Sequence, residues 1–589
     1  MGWFLSFVIF ACENLNIMNR FRPIILAFVI ALAAVLAYGL WTMPKPQPAD
    51  APGFSSARVI KDIEVISKNH HSVAHPQERA EVREYLVGRL EKLGADSVCL
   101  FEYDSLTGPE NKHVKYTFDA ANILAEFAPV QESEDTTWLM LVAHYDSRYS
   151  QPMPKDTVWS YGAADDGYGV GAILETVSQT LKQREHWKQG LKVLFTDAEE
   201  VGMKGMIALW ENDRQVFDNV GLMINIEARG PWGPCLLFET CPGSSKVMKL
   251  YADAAKYPYT YSLTTVVYSF MPNFTDFTIV KDEVPGMNFS TIADVNHYHT
   301  DKDNFSNVNA KTIQHYGAQI LPIAMKYLTS EEYRDKDYFR TDEDTVNFTI
   351  PALGLLNFSK TTYMVINIVL AVIFLLLFAV ESLRGRCRLV KALKYAGVIV
   401  LSAFGILAVG ELVAYLSCVV SGATFKPFGI VLGVTYDNVV MLVSVVVIAA
   451  VATVFYLFHR NAAVRLTAGS LRKNAATNAA AHHAYNVLYG ALLPVFVFNV
   501  VLLFTLGENM MFFIPLFCVT AAMVLYHLTS LKLWLVAAIA LVLLHAFSFY
   551  FALSMALTIG AFGAVAMLAF FDLMILIPLA DIYLLSYKK

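Results

Sequence analysis

The chain has 589 residues, of which 56% are hydrophobic and only 16% are charged, and this composition excludes an ordinary soluble protein. A net charge of −6 and the lack of a basic patch with interleaved aromatic residues argue against nucleic acid as a partner. Seven cysteines without CxxC spacing exclude a zinc–thiolate cluster.

Residues 1–45 are predicted to hold an N-terminal leader and a transmembrane anchor. The anchor is the 19-residue apolar run from Pro23 to Trp41, which is long enough to cross a bilayer. Arg20 and Arg22 precede this run and form the positive flank that is expected in the cytoplasm. A cleaved signal peptide is the alternative, but no small-x-small site is well placed after the run.

Residues 46–54 are rich in proline and alanine and are predicted to be a linker. Residues 55–350 then form one globular domain, in which stretches with helical spacing alternate with short apolar stretches of strand length. The helices are predicted at Arg79–Leu93 and Val170–Leu181, and the strands at Trp138–Val142, Leu191–Phe195 and Leu222–Ile226. This alternation predicts an α/β fold with a central, mostly parallel or mixed sheet flanked by helices, and ligands at the carboxyl ends of its strands.

Residues 360–589 are predicted to form an all-α transmembrane domain of about eight spans, because long apolar runs follow one another with short polar breaks. The spans are expected at residues 362–381, 395–418, 438–458, 485–506, 510–528, 532–550, 551–569 and 570–586. Asp572 and Asp581 interrupt the end of this region, so the last two spans have an arbitrary boundary.

Basic residues orient these spans. Clusters at 384–394 and 460–473 lie between spans, and positive loops stay in the cytoplasm. Together with the positive flank of the anchor they agree on one topology, which places the globular domain on the extracytoplasmic side. That side is the periplasm in a bacterium and a lumen in a eukaryote. Lys588 and Lys589 disagree mildly with this topology if there are nine spans.

Five short segments of the globular domain carry histidine or acidic side chains at predicted strand ends or at a helix start. They are His144-Tyr-Asp146, Asp165-Asp166 among glycines, Glu199-Glu200, Glu227 and Tyr298-His299. Taken alone, each has an ordinary interpretation as a strand-end histidine, a helix cap, a solvated acidic turn or a surface loop. A chemical interpretation competes with it, because adjacent carboxylates repel each other unless a cation is present, and a buried carboxylate requires a partner.

The ordered set HxDS, GAxD, AEEVGxxG, NxE and YHT resembles the co-catalytic zinc exopeptidases of metallopeptidase clan MH, family 28. The resemblance covers about residues 55–330. A single N-terminal span and a multi-span tail make the chain similar to the branch of that family in endoplasmic-reticulum and vacuolar membranes.

The resemblance implies two Zn²⁺ ions per chain and a role for each motif residue. Asp165 would bridge the ions, with one site completed by His144 and Glu227 and the other by Glu200 and His299. Glu199 would be the general base, and Tyr298 would stabilise the oxyanion. Asp146 follows His144 by two residues and can accept the second N–H of the imidazole. Soluble members of the family usually have Asp at the position of Glu227, while the membrane branch uses Glu.

These features predict a membrane-anchored di-zinc exopeptidase that acts on peptides, most readily an aminopeptidase. Carboxypeptidase and dipeptidase activities stay open, as does the oligomeric state. A catalytically inactive receptor would have gaps among the ligands, and none is missing. A transporter would use ionisable residues within the spans, which are sparse here. A cyclase-type acyl transfer with one zinc is the remaining alternative.

Overall fold

The computed structural model describes residues 15–39, 43–108, 117–130, 136–148, 151–152, 157–269, 273–468 and 473–585. The chain divides into two compact units, one from residues 1–39 and 361–589 and the other from residues 40–360. The beginning of the predicted leader lies outside the described residues.

The second unit, called here the soluble unit, is built on a seven-stranded sheet with the order β1-β2-β6-β3-β7-β9-β8. The strands are β1 Ser97–Thr107, β2 Thr117–Phe127, β3 Trp138–His144, β4 Gln151–Pro152, β5 Thr157–Val158, β6 Gly190–Thr196, β7 Val220–Ala228, β8 Trp232–Thr240, β9 Gly286–Ala293, β10 Thr345–Ile350 and β11 Gly354–Ser359. Strands β4–β5 and β10–β11 form separate two-stranded sheets.

The centre of the seven-stranded sheet is parallel and its two sides are antiparallel. Strand β3 pairs in parallel with β6 and β7, and β7 pairs in parallel with β9. Every residue of β3, β6 and β7 is buried, as expected of parallel strands covered on both faces. The three predicted strands and the mixed α/β fold are thus confirmed, and their carboxyl ends meet at one edge.

Helices cover both faces of this sheet. They are α2 Ser56–Ile66, α3 Pro76–Leu93, α4 Gly167–Thr180, α5 Lys204–Asn212, α6 Ser245–Ala254, α7 Ser262–Ser269, α8 Asp276–Val280 and α9 Ala310–Thr329. Helix α3 begins at a proline, which has no N–H to leave unpaired in the first turn, and is capped by Gly94 in the left-handed conformation. Both predicted helices are confirmed within three residues at each end.

The boundaries of the soluble unit differ from those expected. The predicted linker 46–54 is partly fixed to this unit, because the Gln47 N–H donates to Gln314 Oε1 at 3.0 Å and Phe54 is buried. At the other end, the hairpin β10–β11 carries the unit past residue 350 to Lys360. Main-chain hydrogen bonds to side chains far along the sequence, which no local pattern records, account for the first difference.

The other unit, called here the helical unit, consists of long apolar helices. They are α1 Leu15–Gly39, α10 Lys360–Leu383, α11 Leu389–Ser421, α12 Asp437–Ala468, α13 Lys473–Thr505, α14 Met510–Thr529, α15 Leu533–Leu557 and α16 Phe562–Leu584. Among the described residues, seven helical segments are long and apolar enough to cross a membrane, and the last of them, Leu533–Leu584, is broken into α15 and α16.

The division of residues 532–586 into three spans was therefore wrong. The break falls at Thr558–Ala561, and helices of 25 and 23 residues lie on either side of it. A continuous apolar run contains no polar turn that would mark a boundary between spans. The predicted boundaries therefore followed from the length of a span alone. Asp572 does not end a span: it is buried within α16, where its carboxylate accepts a hydrogen bond from Tyr550 Oη at 2.6 Å.

Charged side chains of the helical unit meet at one end of its helices. The guanidinium of Arg22 lies 5.9 Å from the ring centre of Tyr583, near the end of α16. Lys532, in the turn between α14 and α15, donates to the carbonyl oxygens of Ile582 and Tyr583 at 2.9 and 3.0 Å. The start of α1, the α14–α15 turn and the end of α16 thus share one side of the unit.

The space around two glycines of the soluble unit provides a test of its packing. Gly190 lies opposite Trp138 in the β3–β6 register, and a Cβ at Gly190 would lie 2.3 Å from the indole ring. We expect Gly190→Ala to destabilise the soluble unit by about 1–3 kcal/mol through overpacking. Gly88 in α3 has open space around it, so Gly88→Ala should stabilise by ~0.5–1 kcal/mol. Denaturation midpoints of the full chain in detergent measure both, and a Gly190→Ala midpoint equal to wild type would contradict the packing.

Candidate metal centre

Five side chains from separate segments converge at the carboxyl edge of the parallel strands. His144 is the last residue of β3, and Glu227 is the last but one of β7. Glu200 lies in the turn after β6, and Asp165 lies two residues before α4. His299 follows the short helical turn beyond β9. The structure thus brings together all five residues that the sequence pattern selected.

Asp165 occupies the middle of the cluster. Its Oδ1 lies 3.3 Å from His144 Nε2, and its Oδ2 lies 3.3 Å from His299 Nε2. Each histidine also faces a second carboxylate: Glu227 Oε2 is 3.7 Å from His144 Nε2, and Glu200 Oε2 is 3.0 Å from His299 Nε2. Asp165 thus lies between two histidines that each face a further carboxylate. His144, Asp165 and Glu200 can also each place one ligand atom within 4.8 Å of the other two.

Asp165 and its neighbour Asp166 have different surroundings, although both are buried. Asp166 is the N-cap of α4, and its Oδ1 accepts the Gly169 N–H at 3.0 Å. The helix-cap interpretation therefore applies to Asp166, while Asp165 faces the histidines. The Asp166 carboxylate still borders the cluster, because it, His144 and Glu227 can each place one ligand atom within 4.8 Å of the other two.

Asp146 contacts His144 through its main chain rather than through its carboxylate. His144 Nδ1 lies 2.9 Å from the carbonyl oxygen of Asp146 and 3.6 Å from its Oδ1. The Asp146 carboxylate instead accepts the N–H groups of Glu199 and Glu200 at 2.9 and 3.3 Å. One residue thus fixes both the imidazole of His144 and the turn that presents the two glutamates, which sequence spacing alone could not distinguish.

Glu199 and Tyr298 flank the cluster. Burial lowers the pKa of the His144 imidazole, but the neighbouring Asp146 and Asp165 and the charge of Glu199 together raise this pKa well above its ordinary value. The ring of Tyr298 stacks on His299 with 3.5 Å between centroids, and burial raises the pKa of its phenol well above the ordinary value. At neutral pH the phenol therefore keeps its proton and can donate a hydrogen bond.

The carboxylates of the cluster have strongly shifted pKa values. Burial, followed by the charge of Glu227, raises the pKa of Glu199 well above its ordinary value. Burial raises the pKa of Glu227 to about 8. Burial acts on Asp165 in the same direction, but the neighbouring imidazoles of His144 and His299 hold its pKa below the ordinary value. Buried acids in such numbers require positive charge nearby.

The donor atoms fit a divalent cation. Several buried atoms of the cluster have no hydrogen-bond partner among the described residues, namely Asp165 Oδ2, Asp166 Oδ2, Glu200 Oε1 and His299 Nε2. Unpaired buried acceptors are costly, and a cation between them removes that cost. Imidazole nitrogens and carboxylate oxygens are donors that zinc accepts.

Sequence reasoning missed three residues that hold the centre in place. Asp303 accepts the Ala164 N–H at 2.7 Å and the Asp165 N–H at 3.3 Å. Arg148 pairs with Glu200 Oε2 at 3.3 Å. Asn225 donates to Glu227 Oε1 at 3.0 Å. Asp303 and Arg148 carry no local signal, whereas Asn225 was visible as the first residue of the NxE motif.

Comparison with known proteins places this domain in a family. The profile of Peptidase family M28 matches residues 122–324, which include all five residues of the centre. The chain is 23% identical over 385 residues to endoplasmic reticulum metallopeptidase 1 of Mus musculus, covering 61% of this chain and 40% of that protein. It is 27% identical over 273 residues to the vacuolar membrane protease of Eremothecium gossypii, covering 43% of this chain and 25% of that protein. The chain thus spans less than half the length of these relatives.

Solved structures similar to the chain include the glutaminyl cyclase of Porphyromonas gingivalis, with 18% identity and a TM-score of 0.37 over 47% of this chain and 100% of that one. A Zn-dependent exopeptidase from Parabacteroides distasonis has 18% identity and a TM-score of 0.35 over 46% of this chain and 97% of that one. By the profile match, residues 122–324 of this chain are a domain of Peptidase family M28.

Proposed function

We propose that the chain is a membrane-anchored exopeptidase that hydrolyses peptide bonds with two zinc ions. The observation that carries the proposal is the position of Asp165, whose two oxygens face two different histidines, each with a further carboxylate. In this proposal Asp165 would hold both ions, with His144 and Glu227 completing one site and Glu200 and His299 the other. The chemistry that zinc supplies when bound is polarisation of the scissile carbonyl and acidification of the attacking water.

Glu199 is the group that moves the proton. Its carboxylate takes a proton from the attacking water and later delivers it to the leaving amine. One carboxyl group can serve both steps, because it is a base when ionised and an acid once it has accepted the proton. The protonated phenol of Tyr298 donates to the carbonyl oxygen as negative charge develops there.

Aminopeptidase polarity is the narrower form of the proposal. The carboxylates of Asp165, Asp166, Glu199, Glu200 and Glu227 outnumber the arginines near the centre, which are Arg148 and Arg229. Arg148 already pairs with Glu200. Two bound zinc ions would offset four of these five negative charges, so the choice between a free ammonium and a free carboxylate at the substrate's end rests on the digest described below.

The helical unit anchors the enzyme, and its charges support one orientation. Helices α1 and α10–α16 give eight crossings among the described residues, so the start of α1 and the end of α16 lie on the same side of the membrane. Arg22, Lys532 and the basic turn after α10 then all face the cytoplasm, as the positive-inside rule requires. The soluble unit faces the extracytoplasmic side.

The function is tested by digesting a peptide library with the purified full chain in detergent, with and without a chelator. We expect single residues to be removed from free N-termini and the activity to stop on chelation, because the proposed aminopeptidase requires a free N-terminus and bound metal. N-acetylated and C-amidated versions of the same peptides separate the two polarities. Cleavage that continues in chelator would refute the metal mechanism, whereas trimming from the C-terminus would refute only the polarity.

Two substitutions separate catalysis from metal binding. Glu199→Gln should keep bound zinc but lose about 100-fold or more in kcat, as expected for loss of a general base. His144→Ala should lower the zinc content measured by mass spectrometry, because it removes a ligand from one ion. The exposed residues Glu211 and His186 provide matched controls as Glu211→Gln and His186→Ala. A wild-type rate in Glu199→Gln, or unchanged zinc in His144→Ala, contradicts the assigned role.

The orientation is tested through Cys99, which is exposed on β1, while Cys235, Cys241, Cys387 and Cys418 are buried. A membrane-impermeant maleimide should label Cys99 when the extracytoplasmic side of sealed vesicles faces outwards and leave it unlabelled in inverted vesicles. Cys99→Ser identifies the labelled site. Labelling in inverted vesicles alone is incompatible with the proposed topology.

A further inference from the structure

Three neighbouring strands of the sheet carry buried polar side chains at one level. Asn225 of β7 lies opposite Asn288 of β9, and Asn288 lies opposite Glu239 of β8. All three residues are at most 1% exposed. Residues in cross-strand register project from the same face, so these side chains form a continuous row across the sheet. The row ends beside Glu227, two residues along β7 from Asn225.

Hydrogen bonds connect the row from end to end. Lys281 Nζ donates to Glu239 Oε1 at 2.6 Å, and Asn288 Nδ2 donates to Glu239 Oε2 at 3.0 Å. Asn225 Nδ2 then donates to Asn288 Oδ1 at 3.0 Å and to Glu227 Oε1 at 3.0 Å. The lysine side chain is 25% exposed, so the row runs from the surface of the soluble unit to the metal centre.

The carboxylates at the two ends of the row, those of Glu239 and Glu227, determine how the side-chain amides are oriented. These amides belong to Asn288 and Asn225. An ionised carboxylate only accepts hydrogen bonds, so the side chain of Asn288 must turn its NH₂ group to Glu239 and its oxygen to Asn225. Asn225 then faces two acceptors, Asn288 Oδ1 and Glu227 Oε1, and meets both with its NH₂ group. Its own Oδ1 is buried and has no hydrogen-bond partner among the described residues. The orientation of Asn225 is therefore governed by donation to its two neighbours.

The bond from Asn225 leaves Glu227 with one free carboxylate oxygen. Oε1 is held by the amide, while Oε2 is the oxygen that faces His144 Nε2 at 3.7 Å. A glutamate has one more side-chain torsion than an aspartate, so its carboxylate needs an additional contact to hold it towards a metal ion. Groups that orient a ligand in this way affect metal affinity without touching the ion.

We infer that Asn225, Asn288, Glu239 and Lys281 are positioning residues that fix Glu227 as a one-oxygen metal ligand. This inference rests on the proposed two-metal site. It assigns the row to metal affinity rather than to sheet formation, because the strands already pair through their main chains.

The experiment measures zinc affinity of the full chain in detergent, by competition with a chelating indicator and without substrate. We expect Asn225→Ala to weaken binding of one of the two zinc equivalents by ~10- to 100-fold, as found for groups that support metal ligands. Asn225→Asp should weaken it at least as much, because a carboxylate beside Glu227 Oε1 repels it. Asn347, a buried asparagine of β10 outside the row, provides the matched control as Asn347→Ala and Asn347→Asp.

A second measurement separates positioning from folding. In a Glu227→Asp background the shorter side chain no longer reaches Asn225, so adding Asn225→Ala should cost much less zinc affinity than it does in wild type. The metal-free thermal midpoint of Asn225→Ala should match that of the Asn347→Ala control. Equal zinc affinity in Asn225→Ala and wild type, or full additivity with Glu227→Asp, overturns the inference. A chain that binds two zinc ions but cleaves no peptide would refute the proposed function and leave this inference standing.

Discussion

The mutual repulsion of buried carboxylates is the constraint that determines how the soluble unit is organised. Asp165, Asp166, Glu200 and Glu227 are buried at one sheet edge, and the half-buried Glu199 lies beside Glu200. Their charges cannot be neutralised by two imidazoles and one paired arginine alone. A cluster of this kind is stable when cations occupy it, so metal binding and the stability of this edge are linked.

Hydrogen bonds to the backbone hold the acidic segments in place. Asp146 anchors the Glu199–Glu200 turn through main-chain N–H groups, and Asp303 anchors the segment before α4 in the same way. These other carboxylates accept hydrogen bonds from backbone N–H groups, so the side chains of Glu200 and Asp165 can face the histidines of the centre. The same residue type thus serves as scaffold or as part of the cluster according to which donors surround it.

Sequence alone predicted the parts of the fold that depend on local pattern. Strands β3, β6 and β7 are fully buried, so their apolar runs were recognisable, whereas β1 alternates exposed and half-buried residues and was missed. The five convergent residues were found because their order and spacing match a family. Asp303 and Arg148 were not, because they act through contacts 138–139 and 52 residues away in sequence. The end of the helical unit was divided wrongly because it contains no charged turn.

Neighbouring residues of the sequence motifs have different structural roles. In the pair Asp165–Asp166 one residue caps a helix and the other faces two histidines, although the sequence presents them as equivalent. In the NxE motif the first and third residues are coupled, because Asn225 and Glu227 point to the same side of β7 and share a hydrogen bond. An aspartate at position 227 would end one methylene short of that contact. In this chain Glu227 and the asparagine two residues before it therefore form one hydrogen-bonded unit.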